Sequence, residues 1–285
     1  MFNYINGNCK VTLLEDGTKI REFEDDPKPI FPESIDLKIT NYCDAGCRFC
    51  HEMSTKSGDH GSLNKVLELL RQLPSGVEIA IGGGNPISHP EFENFIISLS
   101  GIGLVPNVTI NEFHINRVPI PIRESFTWKY IGGIGISWCK GNFPIGWLLQ
   151  RGVIVHLIAG VHKVELLEAL QSYKVLVLGY KQFGFGRKFY SKEVEDNLKQ
   201  WQWYIHKYIN KQHLSFDNLA IEQLDIFRFL SNNEQSSLYM GNDGQFTMYI
   251  DAVKGEFSKS STSQKRYKLG EFSDIKDIFR VIRSE

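Results

Sequence analysis

Residues 34–50 read SIDLKITNYCDAGCRFC and join a strand-like segment to a loop with three cysteines. The apolar and β-branched residues of 34–40 are typical of a strand. Cys43, Cys47 and Cys50 follow at once, separated by three and then two residues. A structural zinc ion or a closed iron–sulfur cluster takes four protein ligands, so three thiolates leave one position open. Because an open position is typical of a metal centre that reacts, the spacing favours a catalytic site.

Strands and helices alternate on the C-terminal side of this loop. Strands are predicted over 76–84, 106–111, 131–138, 152–160 and 174–180, and helices over 62–73, 89–100, 122–130, 144–151 and 162–172. Such units with continuous apolar strands predict a parallel sheet covered by helices. Six units fit a barrel better than a small open sheet, and no dinucleotide-binding fingerprint follows the first strand. We therefore expect an α/β fold, a partial (β/α)6 TIM-type barrel of parallel strands.

Three regions are expected along the chain. Residues 1–33 are assigned to an N-terminal β-hairpin and a proline-rich linker, 34–212 to the barrel core, and 213–285 to a small α+β C-terminal cap over the barrel mouth. Further elements are predicted at both ends: a hairpin over 11–23, a long helix over 192–211, a helix near 220–231 and a strand–turn–strand over 245–260.

Composition excludes several classes of protein. The 285 residues carry a formal net charge of −1, which removes a general electrostatic attraction to nucleic acid or to an anionic membrane. No secretion signal or bilayer-length apolar run is recognised, so a protein without a membrane partner is expected. Five cysteines, three of them clustered, do not form a disulfide framework, and the cytoplasm is the expected compartment.

A second motif makes the cysteine pattern specific. GGNP at 83–86 ends the second strand, and Phe49 directly precedes the last clustered cysteine. With these features the chain resembles the radical S-adenosylmethionine (SAM) superfamily, whose members carry GGEP where this chain has GGNP. The resemblance covers residues 34–212, and Asn85 stands where glutamate is usual.

The resemblance implies a cofactor pair and an activity. Cys43, Cys47 and Cys50 would bind an oxygen-sensitive [4Fe–4S] cluster, and SAM would chelate its fourth iron. An electron from a donor such as flavodoxin or ferredoxin would then cleave SAM to a 5′-deoxyadenosyl radical, which abstracts hydrogen from the substrate. A structural zinc ion held by the same cysteines and His51 is the alternative, although adjacent ligands suit tetrahedral geometry poorly.

Further site residues are implied by the same resemblance. The expected SAM-binding residues are Phe49, Gly82, Gly83, Gly84, Asn85, Ser137, Leu178 and Gly179. Ser137 would face the ribose, and the backbone of 178–180 would face the adenine edge. Tyr180 and Cys139 are candidate catalytic residues, Cys139 as a hydrogen-atom donor or else as a small buried residue. The run at 152–160 matches the family poorly, and His156 within it fits an interior histidine.

Two basic segments have open interpretations. Residues 179–192 combine Lys181, Arg187, Lys188 and Lys192 with aromatics and glycines, which suits a phosphate, a carboxylate or a stacked base, or else a solvated loop. Residues 254–268 are a second basic segment that either contacts an anion or stays solvated. His51 and Glu52 follow the cysteine loop, where they contact SAM or a partner, or face solvent.

The substrate class is narrowed by the cysteine count. Only Cys9 and Cys139 remain outside the motif, too few to ligate an auxiliary cluster through thiolates. The chain therefore resembles a single-cluster enzyme acting on a small molecule, nucleoside or nucleotide, rather than a cysteine-rich peptide maturase. Two alternatives stay open: an activating enzyme that generates a glycyl radical on a partner protein, and a non-catalytic metal-binding module.

Overall fold

A mostly parallel ten-stranded sheet organises the protein, whose computed structural model describes residues 1–117, 126–139 and 153–285. Seven parallel strands follow one another in space as they do in sequence: β4 (Ser34–Thr40), β5 (Glu78–Gly83), β6 (Val105–Asn111), β7 (Gly133–Ser137), β8 (Ile154–Ile158), β9 (Lys174–Leu178) and β10 (Leu214–Phe216). A small antiparallel sheet precedes them, formed by β1 (Phe2–Asn6), β2 (Cys9–Leu13) and β3 (Lys19–Glu22).

The C-terminal strands extend the large sheet beyond β4. Strand β11 (Thr247–Asp251) pairs in parallel with β4, and it continues through antiparallel β12 (Glu256–Ser258) and β13 (Tyr267–Lys268). The predicted strand–turn–strand over 245–260 is confirmed. Its first strand joins the sheet directly, so the C-terminal segment contributes to the wall that contains β4.

Helices lie between and after these strands. Their bounds are α1 (Asn64–Leu70), α2 (Phe92–Gly101), α3 (Glu112–Ile115), α4 (Leu166–Ala169), α5 (Gly184–Phe189), α6 (Lys192–Tyr204), α7 (His206–Ile209), α8 (Asn218–Leu224), α9 (Asn232–Leu238) and α10 (Ile275–Arg283). Short 3₁₀ turns occupy Pro86–Ser88, Phe126–Tyr130, Ile226–Phe229 and Leu269–Glu271. None of the helices in the described ranges is both long and apolar enough to cross a bilayer.

The two faces of the parallel strands differ in chemistry. On β4, Ile35, Leu37 and Ile39 are at most 1% exposed and belong to the core beneath the helices, whereas Asp36 and Lys38 face an internal cavity. Side chains alternate across a strand, so the same pattern recurs around the sheet. The outer face supplies the hydrophobic burial, and the inner face is left to polar residues and glycine.

Most predicted elements are confirmed, with shifts at their ends. All six predicted core strands and the N-terminal hairpin are present, and β1 adds a third strand to that hairpin. The long helix predicted over 192–211 is divided at Ile205, and the helix over 162–172 is reduced to α4 with turns. The helix predicted over 144–151 lies outside the described residues, as do residues 122–125 of the one over 122–130, whose remainder is a 3₁₀ turn. Strand β10 and helices α9 and α10 are additional.

The helix α6 covers the barrel through one aromatic face. Trp201 is fully buried, and its indole Nε1 donates to the carbonyl oxygen of His162 at 2.8 Å. Trp203, by contrast, is 74% exposed. Trp201 therefore packs the helix against the barrel, and Trp203 does not.

Candidate active site

A cavity of about 300 Å³ opens where the parallel strands end and the cysteine loop begins. The carboxyl ends of parallel barrel strands are where such folds place their active sites. The predicted residues that line the cavity are Cys43, Cys47, Phe49, Cys50, Gly82, Gly83, Gly84, Ser137, Leu178, Gly179 and Tyr180. Residues from four segments far apart in sequence therefore meet around one space.

The cysteine loop is held in place by backbone hydrogen bonds on its far side. The amide of Cys43 donates to the carbonyl of Thr55 at 2.8 Å, and the amide of Asn41 donates to Asp59 at the same distance. Gly46 has φ of +69°, which lets the chain turn between the first two cysteines. This frame leaves all three thiols directed toward the cavity.

The thiols lie in an environment that opposes their ionisation. Burial, followed by the proximity of Cys50, Cys43 and Cys139, raises the pKa of Cys47 to about 11, and burial also raises the pKa of Cys43. Asn111 Nδ2 donates to Cys47 Sγ at 3.6 Å, and His114 Nε2 lies 3.9 Å from Cys43 Sγ. The thiols of Cys43 and Cys47 therefore need a positively charged centre beside them to ionise together.

The donor set fits an iron–sulfur cluster better than a single ion. Within the described ranges, no three Cys, His, Asp or Glu side chains converge closely enough to hold one metal ion. A cluster binds each thiolate through a different iron and needs a wider triangle than a zinc ion does. Asn85, two residues after β5, is not among the residues that line the cavity, but its Oδ1 is buried and has no hydrogen-bond partner among the described residues.

The three glycines at the end of β5 differ in how much space a side chain would have at each position. A Cβ on Gly82 would meet no atom within 4 Å and would project into open cavity space. A Cβ on Gly83, whose φ is +112°, would lie 2.3 Å from the carbonyl oxygen of Thr40, and one on Gly84 would lie 2.2 Å from that of Tyr42. Gly83 and Gly84 are therefore needed for the close packing of two loops, and Gly82 keeps space open for a ligand.

The two candidate catalytic residues have different surroundings. The buried hydroxyl of Tyr180 donates to the carbonyl oxygen of Gly186 at 2.6 Å, which gives this side chain a structural bond. Cys139 is exposed, and its amide donates to Glu112 Oε2 at 2.7 Å. Cys139 is not a small buried residue, so that alternative is wrong. Its predicted hydrogen-atom transfer and the catalytic role of Tyr180 stay predictions.

Several cavity residues were not identified from the sequence. They are Asp36, Lys38, Thr109, Asn111, His156, His162 and Tyr249. The missed signal is an alternation within the strands, because polar residues occupy every second position in SIDLKIT and in NVTIN. His156 faces the cavity across Gly135, where an added Cβ would lie 2.5 Å from its ring, and burial lowers its pKa to about 4.

A buried ion-pair network fastens the cysteine loop to the barrel. Lys38 Nζ lies 2.7 Å from Glu52 Oε2 and 3.3 Å from Asp251 Oδ2, and the hydroxyl of Tyr249 donates to Glu52 Oε1 at 3.1 Å. Burial acts to raise the pKa of Glu52, but hydrogen bonds from His51 and Lys38 hold it well below its ordinary value. Glu52 is thus a structural anchor rather than a solvated loop residue.

Replacing Lys38 with methionine is expected to lower the free energy of unfolding by about 3–5 kcal/mol, since two buried carboxylates lose their cation. Chemical denaturation of the purified variant measures this change. Lys268→Met is the matched control, because its pair with Glu256 is 63% exposed on the lysine side and should contribute less than about 1 kcal/mol. Equal losses in the two variants would contradict the anchoring role.

The basic loop at 179–192 packs against the cysteine loop. The amide of Phe185 donates to the carbonyl of Cys50 at 3.0 Å, and the rings of Phe49 and Phe189 meet edge to face at 5.8 Å. Of its four basic residues, Lys181 lines the cavity, whereas Arg187, Lys188 and Lys192 are exposed.

The second basic segment is folded by its own hydrogen bonds. Arg266 Nη1 donates to Ser258 Oγ at 2.8 Å, and its guanidinium carbon lies 4.9 Å from the ring centre of Tyr249. Ser261, within the loop that Arg266 holds, reaches the cavity.

Comparison with known proteins identifies the fold. No family model and no curated protein matches the sequence. SuiB of Streptococcus suis, solved with its precursor peptide SuiA, superposes with a TM-score of 0.61 at 16% identity over 88% of this chain and 65% of SuiB. SuiB bound to S-adenosylmethionine gives a TM-score of 0.57 at 15% identity over 88% of this chain and 66% of that one. A structure of anSMEcpe with bound AdoMet gives 0.50 at 12% identity over 86% and 78%.

These matches establish a shared fold. The chain has the fold of SuiB and spans slightly less than two thirds of its length. The partial-barrel prediction is confirmed at the level of the fold.

Proposed function

We propose that this protein is a radical SAM enzyme with a single [4Fe–4S] cluster. The observation that carries the proposal is that three thiols with an open fourth position share one cavity with Gly82, whose missing side chain leaves space beside them. The fold shared with SAM-bound SuiB supports it. Three thiols without a fourth protein ligand beside them among the described residues also favour a cluster over the zinc alternative, because a structural zinc ion takes four protein ligands.

Different residues around the cavity would bind the cluster and SAM. Cys43, Cys47 and Cys50 would ligate the cluster, and Asn85 Oδ1 would accept a hydrogen bond from the amino group of SAM. Cluster and SAM together supply, when bound and reduced, a radical that removes a hydrogen atom from the substrate. The chain's part is to orient these groups and to exclude water, which the packing of 179–192 over the cysteine loop supports.

A small polar molecule is the first candidate substrate. The cavity is also lined by the charged and hydroxyl groups of Asp36, Lys181, Tyr249 and Ser261, which suit a polar ligand of limited size. A peptide is the second candidate, because SuiB was solved with a precursor peptide bound. A cytoplasmic location and a flavodoxin or ferredoxin as electron donor remain parts of the proposal.

The test is formation of 5′-deoxyadenosine. Protein reconstituted with iron and sulfide under strict exclusion of oxygen is expected to bind about four iron atoms and to form 5′-deoxyadenosine from SAM slowly when dithionite is added. Samples without dithionite and samples without iron should form none. Protein that binds iron and SAM but forms no 5′-deoxyadenosine under reduction would contradict the proposal.

A further inference from the structure

Some charged side chains of the cavity have ion-pair partners, and others have none among the described residues. Lys38 has two carboxylates within 3.3 Å, and Glu52 accepts from Lys38 and Tyr249. Asp36 has neither a hydrogen bond nor an ion pair with any described residue. The ammonium of Lys181 contacts only the neutral hydroxyl of Ser261, at 3.0 Å, and lies beyond ion-pair distance of every described carboxylate. Two opposite charges therefore face the cavity without ionic partners.

Asp36 is fixed in position by the sheet around it. It lies in register with Ala80 on β5 and with Tyr249 on β11, so its side chain stands on the inner face between two neighbouring strands. Asp217 and Asp243 add negative charge nearby, but each is engaged elsewhere: Asp217 accepts from the amides of Gly179 and Ala220, and Asp243 accepts from Asn218. The surroundings of Asp36 thus attract a cation, and Lys181 is the one basic group that offsets them.

Lys181 is positioned by a different part of the chain. It follows β9 at the start of the loop that packs on the cysteines, and Ser261 meets it from the segment held by Arg266. The charged group therefore stands at a junction of three segments, with the cavity on its open side. An ammonium group in partly buried surroundings is costly unless an anion compensates it. The carboxylate of Asp36 is exposed to the cavity, where a bound cation can reach it.

We infer that Asp36 and Lys181 select a small zwitterionic substrate, in which an ammonium group pairs with Asp36 and a carboxylate or phosphate pairs with Lys181 and Ser261. This inference rests on the proposed function, because it assigns the substrate of the same cavity. It explains why two charges are left open in a cavity where Lys38 and Glu52 are fully paired. Asp36 is enclosed by the barrel although it is exposed to the cavity, and the desolvation that this enclosure causes raises its pKa to about 6, which agrees with a carboxylate that lacks its cation.

The test is calorimetric titration of the reconstituted full chain, saturated with SAM and kept without reductant. The probes are ω-amino acids from glycine to 6-aminohexanoate, the alkylamines and alkanoates of matching length, and aminoalkyl phosphates of the same series. One zwitterion is expected to bind at least about tenfold more tightly than either singly charged analogue, since each added charge-assisted bond contributes about 1.5–3 kcal/mol. Carboxylate and phosphate members of the series distinguish the two anions.

The variants Asp36→Asn and Lys181→Met separate the two charges. Asp36→Asn is expected to lower zwitterion affinity to that of the alkanoate, and Lys181→Met to that of the alkylamine. Asp25→Asn and Lys211→Met, both exposed and outside the cavity, should keep wild-type affinity. The inference is overturned if no zwitterion binds better than its singly charged analogues, if the two variants bind as the wild type does, or if they weaken binding of SAM instead.

These outcomes are independent of the proposed activity. If the protein binds the zwitterion selectively but forms no 5′-deoxyadenosine, the proposed radical reaction is contradicted and the proposed binding site is supported. If the protein forms 5′-deoxyadenosine but shows no preference for a zwitterion, the proposed enzyme class is supported and the proposed substrate is contradicted. Tight binding of a peptide that is unchanged in both variants would likewise overturn the zwitterion assignment in favour of the second candidate.

Discussion

Cys47→Ala is expected to abolish the broad visible absorption of the reconstituted cluster and to reduce bound iron to near zero. Cys47 is the middle ligand of the three and the most strongly influenced by its neighbours, since Cys43, Cys50 and Cys139 all oppose its ionisation. Without it, two thiolates remain on the loop, and they cannot hold a cluster that needs at least three protein ligands to leave one iron open. Absorbance and iron analysis after oxygen-free reconstitution measure the loss.

Cys9→Ala provides the matched control for this variant. Cys9 lies in β2 of the N-terminal sheet and is buried away from the cavity, so its replacement should leave iron content and absorbance at the wild-type level. Full cluster absorbance in Cys47→Ala would show that the ligand assignment is wrong. A parallel loss in Cys9→Ala would show that the readout reports folding rather than ligation.

Gly82→Leu is expected to weaken SAM binding by about one to two orders of magnitude while iron content stays unchanged. An isobutyl group at this position would enter open cavity space instead of meeting protein atoms. Filling space that a ligand needs is expected to cost about 1–3 kcal/mol, as overpacking does in a protein core. Equilibrium binding of SAM to the reconstituted protein, with iron measured on the same sample, tests the prediction.

The choice of Gly82 over its neighbours matters for this experiment. A side chain at Gly83 or Gly84 would collide with the backbone of the cysteine loop, so loss of SAM binding there would not separate a cofactor contact from a displaced loop. Gly270→Leu is the matched control, because a Cβ at Gly270 also meets no atom within 4 Å and lies outside the cavity. Unchanged SAM affinity in Gly82→Leu would show that the end of β5 is not part of the SAM-binding site.

The strands could be predicted because their outer faces are strongly apolar. Ile35, Leu37 and Ile39 alternate with polar residues, yet the apolar half of the pattern suffices to indicate a strand. The polar half of the pattern does not indicate that the inner face encloses a cavity, so the sequence does not predict Asp36 and Lys38 as cavity residues. Strand β10 has only three residues, too few for a periodic signal, and its pairing with β9 depends on tertiary contacts.

The site could be predicted only where its residues are close in sequence. Cys43, Cys47 and Cys50 form a local pattern, and the glycines of 82–84 form another. Tyr249 and Ser261 reach the same cavity from about two hundred residues further along the chain, and no spacing rule connects them to the cysteines. They reach the cavity because β11 pairs in parallel with β4. A pattern of consecutive strand–helix units does not predict this pairing.

The pairing of β11 with β4 also sets an order of events during synthesis. Lys38 and Glu52 emerge from the ribosome early, but Tyr249 and Asp251, which complete their network, emerge about two hundred residues later. Until then the cysteine loop lacks part of its support, and the wall beside Asp36 is open. We expect the cysteine loop to reach its final position only after β11 has docked on β4, so that any loading of a metal on the cysteines would follow that docking.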